Sequence, residues 1–175
     1  MKPADHPEFF ELPPPDGRSR ESTIVLLSDG RFFHEGEPVQ HEGMQRAFAG
    51  WIAKHPKDGR FILNNGYDWC YLRVEDTPYF VTSVLALTPE QLWLELADGS
   101  REPLDPHKLG VRPSGELCVR VKGDAFVAKF SRAAQLALAP YLSEDSTGRP
   151  ALSYGHASVP IPSFVETEPR PSASS

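Results

Sequence analysis

Two cysteines in 175 residues are too few for a disulfide framework. Cys70 and Cys118 each lie in a strand-like apolar run, the usual place of a small buried thiol. One bridge between them is open, but nothing implies it. No stretch approaches the ~18 apolar residues of a membrane helix, and Met1-Lys2-Pro3-Ala4-Asp5 leads into acids and prolines instead of an apolar leader core. The expected setting is the cytoplasm, with no membrane partner. A basic excess is also missing: 18 Lys and Arg against 24 Asp and Glu leave a net charge of −6. That balance argues against tracking a phosphate backbone, so nucleic acid is not an expected partner.

Chemical signatures are as scarce. Gly-x-Gly-x-x-Gly, Gly-x-x-x-x-Gly-Lys, Gly-x-Ser-x-Gly, His-Glu-x-x-His and Cys-x-x-Cys are all absent, which removes the commonest nucleotide, hydrolase and zinc motifs. His34, His41, His55, His107 and His156 lack ligand-like spacing, and His34 and Glu35 would project from opposite faces of a strand. No metal and no cofactor is expected. Asp105-Pro106-His107-Lys108 reads either as a carboxylate orienting an imidazole or as an ordinary solvated loop.

What is abundant is proline, 18 residues of it, crowded at the two ends. Residues 1–22 and 163–175 lack apolar periodicity and are expected to be loose tails. One domain is expected over 23–162, built of lobes at about 23–88 and 89–142. Residues 143–162 should follow as an irregular strap, because Gly148, Pro150, Gly155 and Pro160 break regular elements while Leu152, Tyr154, Val159 and Ile161 offer anchors.

Within the domain, Thr23–Leu27, Asp29-Gly30 and Arg31–His34 predict a hairpin. Met44, Ala47, Phe48, Trp51 and Ile52 fall on one helical stripe. Lys54 and His55 suit the negative end of that helix, and Pro56 should stop it. Arg60–Asn64, Asn65-Gly66 and Tyr67–Val74 predict a second hairpin, with Tyr79–Leu87 as a third strand of the same meander. The second half offers a hairpin about Asp98-Gly99, another from Glu116–Val121 and Ala125–Phe130, and a helix capped by Ser131 with Ala134, Ala137, Leu138, Tyr141 and Leu142 on one stripe. The fold class is therefore α+β: two related strand-rich lobes of antiparallel hairpins and meanders, each with one packed amphipathic helix. The recurrence of Leu-Ser-Asp-Gly at 27–30 and Leu-Ala-Asp-Gly at 96–99 points to an internal structural repeat.

Val74-Glu75-Asp76-Thr77-Pro78-Tyr79-Phe80 puts two adjacent carboxylates in a turn between apolar strands. The structural reading is an Asx-type turn in which Asp76 accepts backbone amides and Glu75 faces water. The functional reading gathers His34, Trp69, Arg73, Glu75, Asp76 and Tyr79 around a small concavity with an aromatic wall.

Ser28-Asp29-Gly30-Arg31-Phe32-Phe33-His34-Glu35-Gly36-Glu37-Pro38, the helix containing Phe48 and the Val74–Phe80 turn occur in an order that resembles the bacterial family called domain of unknown function 1285. Asp105–Val111 and Ala128-Lys129-Phe130-Ser131-Arg132-Ala133 continue the likeness, which covers about residues 24–142. The resemblance implies a small α+β fold with repeated motifs, no established activity, and ligand binding connected with signal transduction. Gly66-Tyr67-Asp68-Trp69-Cys70 departs from the family's pattern, as does the segment after Tyr141, so a ligand lodged there would differ.

Three functions follow in order of preference. The first is a small-molecule-binding or regulatory module. The second is a protein-interaction or adaptor domain without a ligand. The third is an enzyme of unknown class using Glu75, Asp76 and His34, for which no catalytic residue is assigned. The expected partner is accordingly a small molecule or another protein.

Overall fold

The computed structural model describes residues 1–166. Its backbone packs as two units, one over Met1–Pro78 and the other from Tyr79 onward. The class is α+β, and each unit has one α-helix. The division falls inside the Val74–Phe80 segment, ahead of the expected 88/89 boundary.

The first unit opens with β1 (Val25–Leu26), β2 (Phe32–His34) and β3 (Glu37–Pro38). The β1–β2 hairpin forms as expected, with Val25 opposite Phe33 and Leu26 opposite Phe32. Gly30 supplies the left-handed φ of 89°, and Asp29 Oδ1 accepts the Arg31 amide at 3.1 Å. Glu35 and Gly36, both at positive φ, close β2 onto β3 in the two-residue turn that strand twist favours.

Helix α1 (Glu42–Trp51) is capped by His41, whose Nδ1 accepts the Met44 amide at 3.2 Å. It ends sooner than its stripe predicts. Ile52–Lys54 is strand β4, paired antiparallel with β5 (Phe61–Asn64). Ile52 continues a helical stripe and begins a strand equally well, so tertiary pairing decides. His55 is buried beyond the strand instead of facing a helix end.

Strand β6 (Trp69–Tyr71) pairs with β5, but β7 (Arg73–Val74) leaves that sheet after Leu72 and pairs parallel with β1. The unit thus has two sheets, ordered β3-β2-β1-β7 and β4-β5-β6. Residues 1–22 are not a loose tail. Pro3–Asp5 and Pro7–Glu11 form 3₁₀ turns, and Phe9 is buried with Ile62 and Trp69. Arg20 then reaches Asp68 Oδ1 at 2.6 Å and the Trp69 carbonyl at 2.7 Å. Two adjacent phenylalanines carry apolar area without any period, which is why the pattern missed them.

The second unit contains β8 (Tyr79–Ala86), β9 (Leu92–Leu96), β10 (Arg101–Pro103), β11 (Leu109–Val111), β12 (Leu117–Val121) and β13 (Phe126–Phe130). They form one sheet in the order β10-β9-β8-β13-β12-β11. β8 therefore is not a third strand of the first meander; it pairs antiparallel with β9 and parallel with β13. Ser131 Oγ accepts the Ala134 amide at 3.1 Å to cap α2 (Arg132–Leu138). Ala134 and Leu138 are fully buried. The helix gives way to a 3₁₀ turn over Ala139–Tyr141 because Pro140 cannot extend it.

The strap is more regular than expected. β14 (Leu142–Glu144), β15 (Pro150–Tyr154) and β16 (Ala157–Pro160) make an antiparallel three-stranded sheet. Gly148 and Gly155, at φ 79° and 62°, build its turns instead of breaking its elements. Ser163–Glu166 of the expected C-terminal tail continues along β11; the tail's remaining residues, 167–175, lie outside the described region.

Each unit has a three-stranded meander whose first strand also pairs in parallel with a later strand, β1 with β7 and β8 with β13. In the first unit β4-β5-β6 is a separate sheet, whereas in the second β11-β12-β13 is continuous with the meander. The two Asp-Gly turns are out of step, after the first strand in one unit and after the second in the other. They mark hairpin chemistry, not equivalent positions.

Phe9→Ala should cost about 3 kcal/mol through the cavity it leaves. Urea unfolding followed by tryptophan fluorescence measures this, and an unchanged midpoint would return residues 1–22 to the status of a tail.

Candidate functional site

The residues gathered by the sequence reading occupy separate environments. Arg73 and Glu75 come together, their charged groups 3.7 Å apart and both exposed. Glu75 is also a structural anchor: its amide donates to the Leu26 carbonyl at 3.0 Å, and Oε2 accepts the Ser28 amide at 3.2 Å. Asp76 is half-buried beside it. His34 is exposed on β2, opposite Glu37 of β3. Tyr79 begins the second unit's sheet.

Trp69 lies in another place. Its ring meets His55 at 4.9 Å, Tyr71 at 5.3 Å and Phe10 at 6.0 Å between centroids, and the Arg20 guanidinium sits 4.5 Å from it. With 6% of its surface exposed, it is the centre of a filled aromatic cluster, not the wall of an open pocket. Phe9 and Phe10, from the segment read as a tail, do the filling.

In the second unit, a cleft of about 90 Å³ is lined by Leu92, Leu104, Leu152, Tyr154, Ala157 and Val159, with Glu90 and Gln91 beside them. Its floor is rigid. Leu92, Leu104 and Leu152 are buried, Gln91 Nε2 donates to the Leu92 and Leu104 carbonyls at 2.7 and 3.0 Å, and the Tyr154 hydroxyl donates to the Thr88 carbonyl. Leu152, Tyr154 and Val159 were legible as anchors of the strap. That they face Leu92 and Leu104 was not, because the register of β15 follows from its turns, and no local period reports where a whole sheet docks.

A polar cluster in the same unit surrounds Tyr79. Lys122 Nζ is 2.8 Å from Asp98 Oδ2 and 2.7 Å from Ser100 Oγ, while Glu102 Oε2 accepts the Lys122 amide at 3.2 Å. Lys122 and Asp124 flank Gly123 in left-handed backbone, φ 55° and 69°, a conformation of modest cost that these partners hold in place. Burial, with the Asp98 and Glu102 charges, pushes the Tyr79 phenol up to about 12. A phenol held neutral is no general base. Burial also works against the Asp98 carboxylate, but hydrogen bonds from Lys122 and Ser100 outweigh it and hold the pKa below the usual value. These groups are committed to one another, and such mutual satisfaction stabilises a fold more readily than it turns over a substrate.

The remaining candidate, Asp105, settles on the loop reading: its Oδ1 accepts the His107 amide at 3.0 Å and caps a 3₁₀ turn over Pro106–Lys108. Among the described residues, no group of three or more His, Cys, Asp and Glu is arranged to hold a metal ion.

Asp98 gives a pH prediction. Its folded pKa lies below the unfolded value of about 3.9, so its contribution is complete above that value and is lost as pH falls through the folded one. Asp98→Asn should be less stable than the parent by about 1.5–3 kcal/mol near neutral pH. The gap should narrow progressively as pH falls below about 3.9, as measured by urea unfolding across the acid range; a gap independent of pH would assign the loss to packing alone.

No family model and no curated protein matches the chain. Two solved structures do. One is a DUF1285 family protein from Silicibacter pomeroyi DSS-3, with TM-score 0.61 and 18% identity over 81% of this chain and 80% of that one. The other is a DUF1285 family protein from Shewanella baltica OS155, with TM-score 0.52 and 16% identity over 66% of this chain and 88% of that one. The fold described above is the fold seen in these DUF1285 family proteins.

Proposed function

We propose that this protein is a bacterial small-molecule-binding or regulatory module, and that its ligand lodges in the cleft between Leu92, Leu104 and Tyr154. The observation that carries the reading is a preformed apolar cleft with a carboxylate at Glu90 beside it. Glu90's charge reaches the cleft wall: burial first, then Tyr141 and Glu90, raise the Tyr154 phenol's pKa. Few polar groups against an apolar floor is the usual makeup of a ligand site. At about 90 Å³, well below the ~300 Å³ of common drug-sized pockets, the cleft suits one small apolar group with a cationic or hydrogen-bonding head directed at Glu90. The Val74–Phe80 corner is less suited, since Glu75 is engaged by Ser28 and Arg73 and Trp69 is already enclosed. A cytoplasmic setting is part of the proposal, supported by two free thiols, Cys70 and Cys118. The connection with signal transduction rests on the family resemblance.

A thermal-shift screen with small amphipathic amines and related metabolites tests the reading. Ligand at 100 times Kd should add about 2.7 kcal/mol, on the order of 5–10 °C in Tm for a chain of this size. Ala157 is exposed and lines the cleft, so Ala157→Trp should abolish the shift while leaving the fold intact. No hit, or equal shifts in both proteins, would sink the proposal.

A further inference from the structure

The six-stranded sheet ends at β11, an edge with free capacity for main-chain pairing. The chain's own segment after β16 occupies that edge. Val111 N donates to the Pro162 carbonyl at 2.9 Å and Phe164 N to the Val111 carbonyl at 2.8 Å, a parallel bridge centred on Val111 and Ser163. The approach is close: a Cβ added at Gly110 would stand 2.8 Å from Phe164 Cα and 2.9 Å from its Cβ.

Side chains add a reading of sequence to this pairing. The Arg120 guanidinium lies 5.6 Å from the Phe164 ring centroid, and its Nη2 donates to the Val165 carbonyl at 3.0 Å. Arg112, its side chain 9% exposed, holds Glu166 Oε1 at 2.6 Å. Backbone pairing, an aromatic against a guanidinium and a carboxylate in a sunken arginine are the parts of a strand-addition peptide site.

The occupant is lightly held. Ile161 is buried and its amide is bonded to Pro150, but beyond it Pro162, Ser163, Val165 and Glu166 are exposed and Phe164 is half-buried. By contrast, Leu109, Val119 and Val121 in the adjoining strands are essentially inaccessible. Segments with few buried contacts open at the low end of the stability range.

We infer that the Gly110–Arg112 edge is a peptide-docking groove closed in cis by Pro162–Glu166. It accepts in trans an extended segment of a partner protein carrying an aromatic residue followed two positions later by an acid. The cis segment is then an internal competitor that sets the affinity for the partner.

The test uses the full chain and a fluorescein-labelled peptide of the sequence Pro-Ile-Pro-Ser-Phe-Val-Glu. The double variant Phe164→Ala, Glu166→Ala opens the groove and should bind the peptide at least tenfold more tightly than wild type in fluorescence polarisation. Adding Gly110→Ala should remove the binding. Equal binding by all three proteins, or none by any, overturns the inference. So does concentration-dependent dimerisation of wild type without peptide binding, which would make the edge a site of exchange between copies. Hydrogen exchange on unmodified protein gives a second measurement. The Val111 and Phe164 amides should exchange at least tenfold faster than those of β12, and protection equal to β12 would show a fixed cover and overturn the displacement.

Discussion

Each unit depends on one pairing, the parallel contact of its first strand with a strand far along the chain. Hairpins form from neighbours in sequence, but β1 meets β7, and β8 meets β13, only after about forty or more residues have been laid down between them. Such closures carry the largest chain-entropy cost and repay it with non-local packing. The consequences spread from the junctions. In the first unit the Glu75 amide extends the pairing to Leu26, which fixes the Arg73–Glu75 corner and commits the Glu75 carboxylate to Ser28. In the second, the Ser131 amide donates to Val81 just past the β8–β13 contact, so the closure also sets where Ser131 caps α2. The turn with two carboxylates is thus the passage from one closure to the next.

Local chemistry was legible in the sequence. Asp29-Gly30, Asn65-Gly66 and Asp98-Gly99 mark turns, Ser131 marks a helix start, and both apolar stripes mark the helices. What escaped depended on distant partners. Ile52 left the helix because β5 was available, and Tyr79–Ala86 joined the second sheet because β13 was. Phe9 and Phe10 are apolar without periodicity, so only their contact with Ile62 and Trp69 reveals their place. The glycines of the strap were read as breakers because the strands they connect are short and polar on one side. Of the candidate site, Arg73 and Glu75 lie side by side while Trp69 sits in the aromatic cluster, and Leu92 and Leu104 carried no signal beyond that of core strands.

The two polar settings of the second unit differ in a way that bears on chemistry. Asp98 is at once a turn residue, accepting the Ser100 amide at 3.0 Å, and the carboxylate partner of Lys122. A group that also accepts from the Ser100 hydroxyl at 2.6 Å has a fixed charge and little freedom to exchange a proton. Glu90, beside an apolar cleft, has its influence directed at a wall where a ligand could answer it. The proposed binding role draws on that contrast, since recognition uses a charge near apolar surface whereas acid–base chemistry uses groups poised near the working pH.

The edge at β11 obeys the same electrostatic logic. Arg112 and Lys129 are both nearly buried, and Glu116 approaches them at 3.7 and 3.4 Å. Glu166 Oε1 meets Arg112 at 2.6 Å. Its departure costs Arg112 a close carboxylate contact, which is unfavourable for a buried cation, so an incoming segment that carries an acid is favoured over one that does not. Screening at ordinary salt acts over about 8–10 Å in solvent and reaches a buried pair weakly. Selection for an acidic strand is therefore built into the same arginine that holds the cis segment, and an apolar strand lacking that acid would gain the two backbone bonds while losing the stronger charged contact.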